Sequence, residues 1–422
     1  MILSSNLAIA LLTFGTFALT TRALSPEGLG LLVLIEAYGR MFDLVLRLEP
    51  SQALIRMAMP HRDAPHAPPF RRLVRFGLLL DAGGSVLASL TALACLPLLS
   101  GWFGFDAGTQ SLAALYCLTL LIPAPMTATA LFRLFGHFGT YARINVLTAA
   151  LRLGATGALL AAGGGLEAFG LLLCAMSCLD RLAPSLWCWP LLRRRAGPGL
   201  LRTPLTGLLR ENPGLWSFVV TANLNVLARN STRQFDIAAL GGFLSPAELG
   251  LYVLARRFAM LVVRIGAPMQ LVLYPKMCEL AARHKAGPLA RFVLAFLLAF
   301  GGMSACGLAA FALVGRPVVA LAFGPDFVAA VPNILIQLAG ASLLLTGTIF
   351  HSAAQALRRT AQLMAVSTLT AAAFFLPIPL VVPAHGALAA SYLSLLAGLV
   401  WSGGCALIVA HALHTLRQAP AP

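Results

Sequence analysis

Glu36, Arg40, Asp43 and Arg47 stand at spacings of four, three and four inside an otherwise apolar stretch. At 3.6 residues per turn all four fall on one helical face. A charged side chain at mid-bilayer costs roughly 2.5–3.5 kcal/mol on insertion scales, so four of them facing lipid would cost on the order of 10 kcal/mol. The face must look into protein or a water-filled cavity. Glu36–Arg40 and Asp43–Arg47 are both i,i+4 pairs and can neutralise the stripe from within; left open, the same residues line a transport cavity. A second stripe, Asn225, Arg229, Arg233 and Asp236, is spaced four, four and three and carries one cation in excess. Arg256, Arg257 and Arg264 follow in an apolar stretch without an acid, Arg257 and Arg264 two turns apart on one face. Snorkelling of Arg256 or Arg257 to a headgroup is the plainer reading, and a cationic cavity is the functional one.

These charges imply a chemistry of binding. Across the apolar stretches and their edges, cations outnumber acids by four, which suits an anionic ligand. The planar arginine fork holds phosphate oxygens bidentately and keeps its charge when buried. Arg40, Arg47, Arg229, Arg233, Arg257 and Arg264 are therefore the expected substrate-binding residues, and Asp43, Asp236 and Glu36 the acids placed to couple to a proton or sodium gradient. Asp180–Arg181 reads as a local ion pair. Arg152 and Asp81 are single charges that pair with each other or face the cavity. His351 can titrate near neutral pH, or serve as a packed polar residue.

The elements that carry these residues must span a membrane. The chain is 59% hydrophobic and 10% charged over 422 residues, with a mean hydropathy of +0.86, and apolar runs near 20 residues recur end to end. Twelve helices are expected, at about 5–22, 28–48, 76–99, 111–133, 143–162, 168–191, 216–240, 249–273, 289–314, 328–354, 361–382 and 387–411. A basic, proline-rich loop is expected over 56–75 and a central linker over 193–214. The first apolar run lacks a basic leader region and reads as the first span, not a signal peptide.

A repeat organises the twelve. LSPEGLGLLVL from Leu24 recurs as LSPAELGLYVL from Leu244, and Phe103, Gly104 and Asp106 recur as Phe323, Gly324 and Asp326 at the same offset of 220. Two ordered anchors sharing one offset divide the chain into a six-helix half at 1–200 and another at 201–422. An even number of spans per half gives both halves the same orientation, related by a pseudo-two-fold along the membrane normal. With the N-terminus in the cytoplasm, the cytoplasmic segments hold 19 Lys and Arg and the opposite side holds Arg316 alone. The positive-inside rule then places both termini in the cytoplasm.

The net charge of +16 reports this orientation, so no nucleic-acid partner is expected. The eight cysteines show neither disulfide nor zinc spacing. No GxxxxGK[ST] motif supplies an ATP motor, and no cofactor is expected beyond an ion gradient. Membrane polymerases and lipid-linked glycosyltransferases need a sizeable external loop; the longest expected here, 100–110 and 315–327, are too short, so an enzyme is not expected.

Residues 22–34 (RALSPEGLGLLVL), 236–254 (DIAALGGFLSPAELGLYVL), 274–285 (YPKMCELAARHK), 321–327 (LAFGPDF) and 376–390 (LPIPLVVPAHGALAA) resemble turns of the oligosaccharide-lipid flippases of polysaccharide biosynthesis, relatives of the multidrug and toxin extrusion (MATE) antiporters. The resemblance implies an all-α, MATE-like fold in a bacterial inner membrane. It also implies movement of polyprenyl-diphosphate-linked oligosaccharide to the outer leaflet for O-antigen, capsule or exopolysaccharide, by rocking of the halves around a cavity lined by helices 1, 2, 7 and 8. The implied partners are that lipid-linked substrate, membrane lipid, and the polymerase and glycosyltransferases of the same pathway. Ion-coupled small-molecule antiport is the alternative the fold allows.

Overall fold

The computed structural model describes the backbone of residues 2–282 and 286–418, and side chains there except at 2–4, 225, 226, 228–234, 265–272, 282, 286 and 416–418. All regular structure among these residues is helical. The order is α1 (Ile2–Ala23), α2 (Pro26–Leu46), α3 (Ser51–Ala58), α4 (Pro68–Leu99), α5 (Ala107–Thr119), α6 (Met126–Leu134), α7 (Phe138–Ala161), α8 (Leu166–Ala196), the single-turn α9 (Leu208–Glu211), α10 (Leu215–Gly241), α11 (Pro246–Ala282), α12 (Ala286–Phe323), α13 (Val331–Ala356), α14 (Thr360–Phe375) and α15 (Ile378–Gln418). Every expected span is met. The fourth is divided between α5 and α6, and α15 bends at Gly386 (φ 60°) so that it closes the eleventh span and forms the twelfth. Leu98, Leu313 and Leu380 are 80%, 83% and 80% exposed, which suits lipid and not water. Five helical segments are long and apolar enough to cross a membrane on composition alone. Others, such as α2 and α8, carry the charges that lower their apolarity.

Three stretches differ from the sequence expectation. The basic loop at 56–75 is mostly helical: α3 turns Ala53, Leu54 and Ala58 inward and Gln52 and Arg56 outward, and α4 starts at Pro68, a proline at the first position where its missing N–H costs nothing. The external loop at 315–327 is mostly helix as well. α12 continues through Pro317 to Phe323, and a 3₁₀ segment at Pro325–Ala330 follows the Gly324 turn. The third difference is the linker, which is fastened. Arg71 Nη2 donates to the Pro198 carbonyl at 2.9 Å, Arg75 donates to the Thr203 carbonyl, and Arg72 pairs with Glu211.

The chain packs as two compact units, residues up to 24 with 31–238, and 25–30 with 239 onward. The expected boundary at 200 follows the repeat; packing keeps 201–238 with the first unit, consistent with the arginine clamps on the linker. In the first unit Phe70, Leu73, Leu131, Phe132, Leu192 and Leu200 form a core among α3, α4, α6 and the end of α8.

The second unit contains the Ser-Pro turns of both anchor copies, at 25–26 and 245–246. Each Ser begins its helix: the Gly28 N–H donates to Ser25 Oγ at 3.2 Å, while Ser245 and Glu248 form a reciprocal capping box. The two turns lie against each other reciprocally. A Cβ on Gly30 would meet the Pro246 carbonyl oxygen at 1.8 Å, and one on Gly250 the Pro26 carbonyl oxygen at 2.0 Å. Residues 30 and 250, and 26 and 246, are repeat mates, so this contact has local two-fold character and requires glycine on both sides.

Candidate functional site

In the first unit the charges gather around the break between α5 and α6. Pro123 and Pro125 lack backbone N–H groups, so the helix ladder cannot run through them, and polar groups are freed at mid-span. Neighbouring helices satisfy these groups. Asp81 of α4 accepts the Thr127 N–H on Oδ2 at 2.8 Å, capping α6, and Ser85 Oγ, one turn on, accepts from the Ala124 N–H at 3.2 Å. Arg181 of α8 donates through Nη1 to the Ile122 carbonyl at 3.1 Å.

Arg181 also ties the break to the α2 stripe. Its Nη2 lies 3.0 Å from Asp43 Oδ2, the same oxygen that Arg47 Nη1 approaches at 3.1 Å. Asp43 is 9% exposed and is the counter-ion of two guanidiniums. Glu36 and Arg40 pair at 3.2 Å, with the Arg40 side chain 59% exposed. Both expected i,i+4 pairs form, and Arg181 adds a second cation to one of them.

The expected Asp180–Arg181 pair does not form. Neighbours on a helix point about 100° apart, so Arg181 turns to Asp43 while Asp180 pairs with Arg152 of α7. Arg152 therefore does not pair with Asp81. The Arg152–Asp180 pair lines a cavity of about 250 Å³ together with Thr13, Thr16, Asn145 and Thr148, from α1, α7 and α8. Thr13 and Thr16 donate their hydroxyl protons to carbonyls four residues back, at 2.7 and 2.8 Å, which keeps their oxygens as acceptors.

Asp236 is buried and accepts the Ile237 N–H at 2.9 Å. Arg257 is half-buried and Arg264 exposed on α11, in the second unit. The side chains of Arg229 and Arg233 lie outside the described residues. His351 stacks on Trp401 with centroids 5.1 Å apart. Among the described residues no three His, Cys, Asp or Glu side chains gather as a metal site. Asp81, expected to pair with Arg152 or face the cavity, caps α6 instead, and Arg181 as a bridge was not foreseen; the paired prolines at 123 and 125 are the signal for a break needing caps.

Among the described residues of the second unit the buried polar groups are uncharged. Ser391 donates to Asn333 Oδ1 at 2.9 Å, and Gln337 Nε2 donates to Ser391 Oγ at 3.2 Å and to the Tyr252 carbonyl at 3.4 Å.

Comparison with known proteins agrees with this architecture. A sequence model of a family described as "polysaccharide biosynthesis protein" matches residues 19–332. The inner membrane protein YghQ of Escherichia coli is 27% identical over 339 residues, covering 78% of this chain and 92% of YghQ. Among solved structures, an inward-facing multidrug resistance MATE family transporter of the MOP superfamily superposes with a TM-score of 0.68 at 13% identity, covering 98% of this chain and 96% of that one. The lipid II flippase MurJ, in an inward closed conformation, superposes with a TM-score of 0.67 at 10% identity, covering 99% and 91%. At those identities the structures speak for the fold alone. The chain is an all-α, MATE-like polytopic membrane protein, and with well over half its length matched it belongs to the polysaccharide biosynthesis protein family.

Proposed function

We propose that this protein is a flippase that carries polyprenyl-diphosphate-linked oligosaccharide from the cytoplasmic to the outer leaflet by alternating access, for cell-surface polysaccharide. The family match over residues 19–332 carries the reading, and the fold shared with a protein named as a lipid II flippase supports it. Arg40, Arg47, Arg229, Arg233, Arg257 and Arg264 are the proposed diphosphate ligands, with Glu36, Asp43 and Asp236 as the acids that respond to an ion gradient. The protein acts as a transporter and not an enzyme, in the bacterial inner membrane with both termini cytoplasmic, and receives substrate from glycosyltransferases and delivers it to a polymerase. The fold likeness to a MATE transporter favours small-molecule antiport as the second reading. An acidic cavity would suit cationic drugs better than the cation excess here.

The test is leaflet-specific accessibility of the lipid-linked oligosaccharide in cells with and without the protein. Depletion should trap the glycan on the cytoplasmic leaflet, and the double variant Arg229→Ala/Arg233→Ala should do the same. Unchanged outer-leaflet glycan on depletion refutes the flippase reading; normal export by the double variant refutes the site.

A further inference from the structure

The most unbalanced group in the first unit is Asp81, 2% exposed at the middle of the helix break. Its Oδ2 accepts the Thr127 N–H at 2.8 Å, while its Oδ1 is buried without a hydrogen-bond partner among the described residues. The Thr127 hydroxyl is also buried without one, and Thr127 is fully enclosed. The two groups are neighbours by construction. Gly77 and Asp81 are one turn apart on α4, and the Thr127 hydroxyl oxygen lies 2.7 Å from where a Cβ on Gly77 would stand. The Thr127 hydroxyl has one donor and two acceptor sites, so it can donate to the charged carboxylate and, once a proton sits on Oδ1, turn to accept from it.

Among the described residues no cation pairs with Asp81. Arg47 lies against α4 at Gly84. Arg47 is committed to Asp43, and Arg181 to Asp43 and the Ile122 carbonyl. From α3 the neighbour at this level is apolar: Leu54 packs on Gly77. From α6 it is Thr127, and from the break Ala124, held by Ser85. A buried carboxylate whose donors are one backbone N–H and one hydroxyl, with no cation among the described residues, is costly to keep charged.

We propose that Asp81 and Thr127 form a proton-binding site that latches the half-helix α6. Deprotonated, Asp81 holds the α6 N-terminus through a charge-assisted bond to the Thr127 N–H. A proton arriving on Oδ1 makes a neutral carboxyl whose O–H donates to the Thr127 hydroxyl oxygen. The bond to the N–H weakens to a neutral one, and the end of α6 loses the negative charge that complements its dipole. The ligand is a proton and not sodium, because only two unengaged oxygens meet here and a sodium ion requires a larger oxygen shell. In the transport cycle proposed above, this latch would couple a proton gradient to bending of the fourth span. That last step rests on the flippase reading; proton binding does not.

The test needs no substrate. Purified protein in lipid nanodiscs is titrated with acid while infrared difference spectra follow the carbonyl stretch of protonated carboxyl groups. Hydrogen exchange, corrected for intrinsic rates, follows the amides of 124–130 in parallel. One protonated-carboxyl band should rise with acid and vanish in Asp81→Asn, and protection at Thr127 should fall several-fold over the same pH range. Asp81→Asn, a mimic of the neutral form, should show the low protection at every pH. Thr127→Val keeps the N–H and removes the hydroxyl, so it should displace the titration midpoint, by about one pH unit for one hydrogen bond. A band insensitive to Asp81→Asn, Thr127 protection that ignores pH, or a transition driven by sodium at fixed pH would each overturn the proposal. Should Asp81→Asn fail to fold, the Thr127→Val displacement decides alone. Failure of glycan export with an intact titration would sink the flippase reading and leave the latch standing.

Discussion

Alanine at Gly30 or Gly250 tests the reciprocal contact between the two repeat anchors. The new methyl carbon would stand 1.8 Å from the Pro246 carbonyl oxygen in the first case and 2.0 Å from the Pro26 carbonyl oxygen in the second, where real Cβ contacts essentially never fall below 3.0 Å. Each substitution therefore forces the two backbones apart by about 1.2 and 1.0 Å. Both obstacles are main-chain oxygens at helix starts, so no side chain can rotate away. Overpacking typically costs about 1–3 kcal/mol, and a backbone obstacle belongs at the upper end. Gly83 is the control: it lies inside α4 with nothing within 4 Å of its Cβ position, so alanine there should be neutral or stabilise by up to about 1 kcal/mol through helix propensity. The assay is the fraction of purified protein remaining monodisperse after stepped heating in detergent, with all variants heated identically because membrane-protein unfolding is a rate measurement. Gly30→Ala and Gly250→Ala should each fall well below wild type and Gly83→Ala should not. The double variant should cost less than the two singles together, since one separation of the anchors relieves both clashes. A Gly30→Ala protein as heat-resistant as Gly83→Ala would refute the close contact.

Two further substitutions probe the first unit. Asp43→Asn leaves Arg47 and Arg181 without their shared counter-ion, each with a side chain less than 15% exposed; removing one partner of a buried ionic set costs about 3–5 kcal/mol. Heat resistance should drop more than for Glu36→Gln, whose partner Arg40 is largely exposed. Arg71→Ala and Arg75→Ala together release the carbonyls of Pro198 and Thr203, so limited proteolysis should cut between 197 and 214 several-fold faster, with no change at other sites.

The periodic features were legible in the sequence and the tertiary ones were not. The repeat could be read because Leu-Ser-Pro and Gly recur at one offset, and the same residues build the capped turns and the close contact. The stripe on α2 could be read because a helix fixes which residues share a face. Asp180–Arg181 could not, because adjacency in sequence says little about direction: the two side chains leave α8 toward different helices, and no count of charges shows where α7 and α2 lie. The basic stretch at 56–75 read as loop because its prolines outweighed the inward pattern of Ala53, Leu54 and Ala58. The break at 120–125 read as continuous helix because its residues are apolar, although the two prolines forbid a regular ladder.

The two units divide their buried polarity unequally, and this bears on where a gradient can act. The buried charged residues among those described, Asp43, Asp81 and Asp236, all belong to the first unit. The buried polar residues described in the second are neutral: Asn333, Gln337 and Ser391 are joined by hydrogen bonds, and Ser352 and Thr370 donate to carbonyls of their own helices. A neutral network of amide and hydroxyl groups holds its helices together at any pH. A charged one can be altered by a single proton, and its geometry at the α5–α6 break ties such a change to backbone groups that no helix ladder satisfies. An element that must bend during transport needs bonds that a small input can release, and among the described residues the stretch 122–127 of the broken fourth span is held by three side-chain bonds to its backbone, from Asp81, Ser85 and Arg181. Of these, the serine hydroxyl is neutral and the guanidinium keeps its proton, so the carboxylate alone can be switched by acid.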